Sequence, residues 1–240
     1  VVRSVRPLGL ALLAASALSG CVSTQTKNAR TLVINERTLD AQSSLRVTRI
    51  NPRVAVTTVA LIRSRRATAL VVRLRNLGRS PLSDLPISVG VLDRSGHRQY
   101  LNRGINLPYF NTHVASLGGS STALWVLTIR SVVAPGSRPF AHVGLPTLPA
   151  STTAATLPRI EVLAAHSGRG LRLAVLNRSG VPQYDLQVYA AATPRGRYVA
   201  AGRASLAALD GGGRAHVGVR LLGAPSGAQV LLSAPPTIFN

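Results

Sequence analysis

Leu70-Val71-Val72-Arg73-Leu74-Arg75-Asn76 alternates apolar and polar side chains with the period of two that an extended strand imposes, and Leu171-Arg172-Leu173-Ala174-Val175-Leu176-Asn177 repeats it 101 residues later. The offset persists through the next turn and strand: Asn76 matches Asn177, Pro81 matches Pro182, Asp84 matches Asp185, Leu85 matches Leu186 and Ile87 matches Val188. Segments that agree on which positions turn inward must fold alike, so the chain is constrained to a duplicated unit of short strands. The offset then shortens to 92, where Gly119 meets Gly211, Trp125 meets Val217, Leu127 meets Val219 and Ile129 meets Leu221. A turn and one further strand close each copy, through Ala134-Pro135-Gly136-Ser137 and Ala224-Pro225-Ser226-Gly227.

Short β-branched and aliphatic runs broken by Gly, Pro, Asn and Asp, with no clear amphipathic helix, predict an all-β fold. Two tandem β-sandwich modules are expected, at 45–149 and 157–240, joined by the Ser/Thr/Ala linker 150–156. Aromatic residues are only 4% of the chain against 46% hydrophobic, so the cores must be built from Val, Leu, Ile and Ala. Asp84 and Asp185 are expected at a turn ahead of a strand, where a carboxylate accepts local backbone N–H bonds.

Residues 1–20 have the three parts of a secretory signal: Arg3 and Arg6 in front, an apolar run from Leu8 to Leu18, and small residues at the end. That run is well short of the ~20 residues a membrane-spanning helix needs, so it predicts a cleaved signal peptide rather than an anchor. Leu18-Ser19-Gly20-Cys21 follows directly and resembles the lipobox of bacterial lipoprotein precursors. The resemblance implies cleavage before Cys21, a lipid-bearing thiol and an acylated amine, and two or three chains anchor firmly where one is marginal. Cys21 is the only cysteine, so no intramolecular disulfide forms. Polar residues then dominate the stretch 21–44, which reads as a flexible tether. The expected location is the extracytoplasmic face of a bacterial membrane, inner or outer.

The Asn-x-Gly-x-x-Pro-Leu-x-Asp-Leu run at 76–85, followed by Ile87-Ser88-Val89 and Asp93-Arg94-Ser95-Gly96, resembles the immunoglobulin-like repeats of bacterial surface proteins. Such repeats serve as spacers, adhesion modules and binding domains. The resemblance therefore implies a non-enzymatic role and names no ligand.

Residue patterns for catalysis are missing from the sequence. The five histidines, His97, His113, His142, His166 and His216, have no paired spacing that points to a metal. The serines include no Gly-x-Ser-x-Gly elbow. Asp210-Gly211-Gly212-Gly213 lacks the lysine and the following helix of a phosphate loop and reads as a hairpin turn. No metal and no cofactor is implied.

The change of offset means that the first module carries nine residues its sister lacks, between Leu92 and Gly119. This interval gathers Tyr100, Asn102, Asn106, Tyr109, Phe110, Asn111 and His113. Rings beside amides are the chemistry of carbohydrate or peptide recognition, and equally of a plug for one open end of a sandwich.

The net charge is +21, carried by 28 Lys and Arg against seven acids. An exported chain meets lipid headgroups and acidic envelope polymers rather than nucleic acid, so no nucleic-acid partner is expected. Arg63, Arg65, Arg66, Arg73, Arg75 and Arg79 lie on or beside neighbouring strands and form either an anion-binding patch or a solvated face. The arginine excess is also what a GC-rich coding sequence produces. The sequence thus points to a lipid-anchored binding or scaffold component of the envelope with an unidentified protein partner. A ligand-free spacer and an envelope hydrolase are the alternatives.

Overall fold

In the computed structural model, which describes residues 47–104, 107–146, 156–167, 170–225 and 227–237, the period-two segments are strands of an all-β sandwich fold. The signal peptide, Cys21, the tether and linker residues 150–155 lie outside the described residues, as does Asn106.

Among the described residues, four antiparallel sheets carry the fold. In the first, β2 (Thr68–Asn76) lies between β1 (Val54–Arg63) and β6 (Thr122–Ile129). In the second, β3 (Leu82–Leu92) is central, with β7 (Arg138–Val143) on one side and β4 (Arg98–Tyr100) and β5 (His113–Leu117) sharing the other. The third places β10 (Gln183–Thr193) between β11 (Ala200–Leu209) and β14 (Gln229–Ser233), with β13 (Leu222–Gly223) beyond β11. The fourth pairs β9 (Gly170–Asn177) with β8 (Ile160–Ser167) and β12 (Arg214–Val219).

The ladder registers repeat with the offsets of the sequence. Val72 faces Trp125 in the first sheet and Leu173 faces Val217 in the fourth. Asn76 and Asn177, both buried, sit at the same corner. The Asn76 amide donates to Ser80 O at 2.9 Å and Leu117 O at 3.2 Å, while its Oδ1 accepts Gly78 N–H at 2.9 Å. Asn177 donates to Val181 O at 2.7 Å and Asp210 O at 3.1 Å, and accepts Ser179 N–H at 3.0 Å. Each amide thereby closes the turn between sheets and ties it to the strand arriving opposite. Gly119 and Gly211 pass so close to a neighbouring carbonyl that a Cβ would lie 1.7 Å from Arg79 O or 2.4 Å from Gly180 O. Only glycine fits there.

Two expectations need correction. Asp84 and Asp185 lie inside β3 and β10, not at a turn ahead of them, and both have left-handed backbones with φ of 49° and 50°. Aspartate tolerates this region better than most side chains. The second correction concerns the outward face of β2, which the alternation assigns to solvent. Ala69 and Val71 on that face, with their cross-strand neighbours Ile62 and Val126, are buried in one cluster with Tyr189, Ala191 and Ala201 from β10 and β11. The alternate residues of β10, Leu186, Val188 and Ala190, belong to the core shared with β9. Both β2 and β10 are therefore covered on two faces, and the first and third sheets pack on each other.

Asn76→Ala and Asn177→Ala are each expected to lower unfolding free energy by about 2–3 kcal/mol, because buried turn carbonyls lose their donor. Urea unfolding of the two variants measures this, and equal losses at the two corners are the expected sign of their equivalence.

Candidate functional site

The nine additional residues can be placed from the strand pairing. Gly90 pairs with Tyr100 as Ala191 pairs with Ala201, and Pro86 pairs with His113 as Gln187 pairs with Ser205. Twelve residues, 101–112, thus replace the three residues 202–204 of the sister strand. What is one continuous strand in β11 becomes β4 and β5 with an excursion between them, ending in a 3-10 turn at Tyr109–Asn111.

Interrupting a strand leaves the central strand's backbone groups without partners, and Asn102 supplies them. Its Oδ1 accepts Val89 N–H at 2.9 Å and its amide donates to Ile87 O at 2.6 Å and Asn111 O at 3.0 Å. Leu101 N–H reaches Val89 O at 2.8 Å, and Ile87 N–H reaches Thr112 O at 2.7 Å. The side chain of Asn102 therefore does the work of a missing peptide unit and is itself 4% exposed.

The aromatic end of the excursion is turned inward. Tyr109 stacks on His113 with ring centroids 4.4 Å apart and planes within 4°, and Phe110 meets Tyr109 edge-on at 5.0 Å. The Tyr109 hydroxyl donates to Asp84, which explains why the left-handed aspartate faces this segment. Thr112 Oγ1 lies 3.0 Å from Tyr109 O and 2.9 Å from His113 Nδ1, and Trp125 Nε1–H donates to His113 O at 3.2 Å. Burial pushes the His113 imidazole down to about 4, against a smaller opposing pull from the Asp84 carboxylate and the Tyr109 backbone. At neutral pH it is an uncharged core ring.

From the other side, Arg203 on β11 donates Nη1–H to Phe110 O at 3.2 Å and Nη2–H to Asn111 Oδ1. Burial lowers the pKa of this guanidinium, with Tyr189 opposite it in register. Ser116 Oγ–H donates to Pro236 O at 2.8 Å nearby. The excursion is thus a clasp between the two sheet pairs: Asp84 holds it to β3 and Arg203 holds it to β11.

Of the two readings of this interval, the plug is the one that its buried members fit. Asn102, Tyr109 and His113 are buried and Asn111 is engaged by Arg203. Tyr100 stands apart from them on the outer face of the second sheet, edge-on to Phe140 at 5.5 Å across Gly90. Arg203 and Tyr189 were not among the candidate residues; the signal for them was the unbroken apolar run Val188–Ala192, which marks a strand covered on both faces. Among the described residues no three His, Cys, Asp or Glu are grouped to hold a metal. A shallow cleft between β6 and β14 is lined by Arg73, Ala123, Leu124, Leu231 and Ser233.

The six arginines do not form one patch. Arg63, Arg65 and Arg66 sit at the β1–β2 hairpin, whereas Arg79 lies at the opposite end of the nine-residue strand β2, ~30 Å away. Arg73 and Arg75 are exposed towards that second end, on the face otherwise covered by the third sheet.

The fold and this interior define the class, an all-β sandwich protein. Compared with known proteins, the chain matches no family model and no curated protein.

Two outcomes are expected. In a double-mutant cycle of Asn111→Ala with Arg203→Met, the coupling energy read from urea unfolding is about 1–2 kcal/mol, and a value near zero rejects the clasp. His113, whose folded pKa lies below the unfolded value of 6.5, contributes stability that is complete above pH 6.5 and lost as pH falls towards 4. The loss is about 3 kcal/mol, and His113→Asn should flatten the urea midpoint over that interval.

Proposed function

We propose that the chain is a lipid-anchored, extracytoplasmic scaffold component of a bacterial envelope, built from two immunoglobulin-like modules that act as one body. The observation that carries this reading is the fate of the extra segment in the first module. A binding module would be expected to present its insertion to solvent, whereas here Tyr109, Phe110 and Asn111 are spent on joining the two sheet pairs through Asp84 and Arg203. Such a body transmits position from an anchor to whatever binds its far surfaces. Membrane attachment rests on the signal-like residues 1–20 and the lipobox-like Leu18–Cys21. Among the described residues no helix is long and apolar enough to cross a membrane, so attachment falls to the acylated Cys21 in this reading.

A binding role in addition to scaffolding is favoured by the outer face of the second sheet, where Tyr100 and Phe140 remain half exposed. His113, buried and uncharged at neutral pH, is poorly placed to serve as the base of the hydrolase alternative.

Cells fed a labelled fatty acid are expected to mark the wild-type protein and to leave Cys21→Ser unmarked and released from the membrane fraction. Label on the serine variant, or none on the wild type, would reject the anchor.

A further inference from the structure

The end of the first sheet pair at which the β1–β2 hairpin turns is far more basic than the spacing of residues in the sequence reveals. Three connections converge there. The β1–β2 hairpin brings Arg63, Arg65 and Arg66. The β3–β4 hairpin brings Arg94 and Arg98. The connection from β6 to β7 brings Arg130 and Arg138. All seven are exposed. Contacts confirm that the three loops meet: Arg63 Nη2–H reaches Ala134 O at 3.4 Å and Ser137 O at 3.2 Å, and a Cβ on Gly136 would lie 2.7 Å from Arg94 Nε. Arg98 and Arg138 flank Leu92 on adjacent strands.

Opposing charge is nearly missing. Among the described residues at this end the acid is Asp93, whose Oδ1 is occupied by Ser95 Oγ–H at 2.6 Å and His97 N–H at 2.8 Å. An apolar element stands among the cations. Thr68 Oγ1 donates to Ser131 O at 2.8 Å and accepts Val133 N–H at 3.2 Å, which draws Val133 into the core and turns Val132 out, 55% exposed. Tyr100 and Phe140 lie next along the same outer sheet face, with the Arg98 guanidinium 5.2 Å from the Phe140 ring centre.

We infer that this arginine-rich loop end docks onto the anionic phosphate headgroups of a phospholipid surface. Guanidinium groups pair with phosphate oxygens in bidentate fashion, and several at one end add their attraction where the surface potential is negative. The valine and the half-exposed rings decide between a membrane and a soluble acidic polymer. They match the apolar layer below the headgroups, and a polyanion has no use for them. The inference rests on the membrane-proximal location proposed above, but its test does not use the lipid anchor.

The test uses full-length Cys21→Ser protein and co-sedimentation with vesicles of phosphatidylcholine alone or mixed with phosphatidylglycerol, at low and high salt. Neutral vesicles report whatever the apolar run Leu8–Leu18 contributes. Binding is expected on the anionic vesicles and should fall at high salt. Arg65→Gln/Arg66→Gln/Arg94→Gln/Arg130→Gln should reduce the partition coefficient about tenfold or more, whereas the charge-matched Arg49→Gln/Arg73→Gln/Arg75→Gln/Arg79→Gln should reduce it less than about threefold. Val132→Ser, which changes no charge, should also weaken binding with every arginine in place. Equal losses in the two quadruple variants, equal binding to neutral and anionic vesicles, or binding to soluble polyphosphate without binding to vesicles would overturn the assignment. Far-ultraviolet dichroism of each variant separates lost docking from lost folding, and Val132→Ser tests the apolar contact without altering the charge of the arginine cluster. Fatty-acid labelling at Cys21 is read separately, so failure of the anchor and failure of the docking surface are distinguishable.

Discussion

A sheet buried on both faces governs the rest of this architecture. In β2 the residues Leu70, Val72 and Leu74 serve the core shared with β3, and Ala69 and Val71 serve a second contact with β10 and β11. β10 answers in kind, with Val188 and Ala190 facing β9 and Tyr189 and Ala191 facing β2 and β6. Apart from Tyr189 and Ile62 the side chains of this contact are small, alanine and valine, which lets the two sheets approach closely. Burial of alanine and valine yields less per residue than burial of leucine, at ~25 cal/mol per Å2 of apolar area. A contact of this kind needs polar ties at its margins to hold a single orientation, and the 101–112 clasp and the Ser116–Pro236 hydrogen bond are such ties.

The clasp shows how an insertion is made without leaving a wound in the sheet. Cutting one strand into β4 and β5 exposes backbone donors and acceptors on β3, and an unpaired buried amide costs about 1–3 kcal/mol. Asn102 has a donor and an acceptor in the geometry of a peptide group and fills the gap at Ile87 and Val89. The inserted segment is then free to place the Phe110 carbonyl and the Asn111 amide before Arg203. The sister strand has no such gap, because Val188 and Ala190 pair directly with Ala204 and Gly202.

The strands, the duplicated register and the place of the insertion were all legible in the sequence, because each depends on local spacing. Asn76 with Asn177 and Gly119 with Gly211 stood out as matched pairs, although only the structure shows that the asparagines bridge sheets and the glycines avoid a carbonyl. What failed were inferences that assumed a free outward face. Alternation in Leu70–Arg75 assigns Val71 and Arg73 to the same side, and nothing local distinguishes the covered valine from the exposed arginine. The purpose of Tyr109, Asn111 and His113 was hidden for the same reason, since their partners Asp84 and Arg203 lie 25 and 92 residues from the groups they hold. Asp84 and Asp185 look like turn residues because aspartate is common in turns, yet the same tolerance of left-handed backbone places them within strands.

Stacking of the sheets also explains where the charge resides. Among the described residues one ion pair is formed, Arg178 with Glu161 at 2.8 Å, so the arginines are neither neutralised in pairs nor buried with acids. The half-buried exception, Arg203, is satisfied by a carbonyl and an amide oxygen, which cost less to desolvate than a carboxylate. The other described arginines are all exposed, at loop ends, on outer faces or, for Arg73 and Arg75, where the face of β2 is left uncovered towards its end. Like charges gathered at one loop end repel one another, and that repulsion is weakest when each side chain extends outward on a separate turn. The concentration of arginines at the β1–β2 hairpin end is thus partly a consequence of the fold. The exposed Val132 beside them, held out by the hydrogen bonds of Thr68, gives that end an apolar contact to add to its charge.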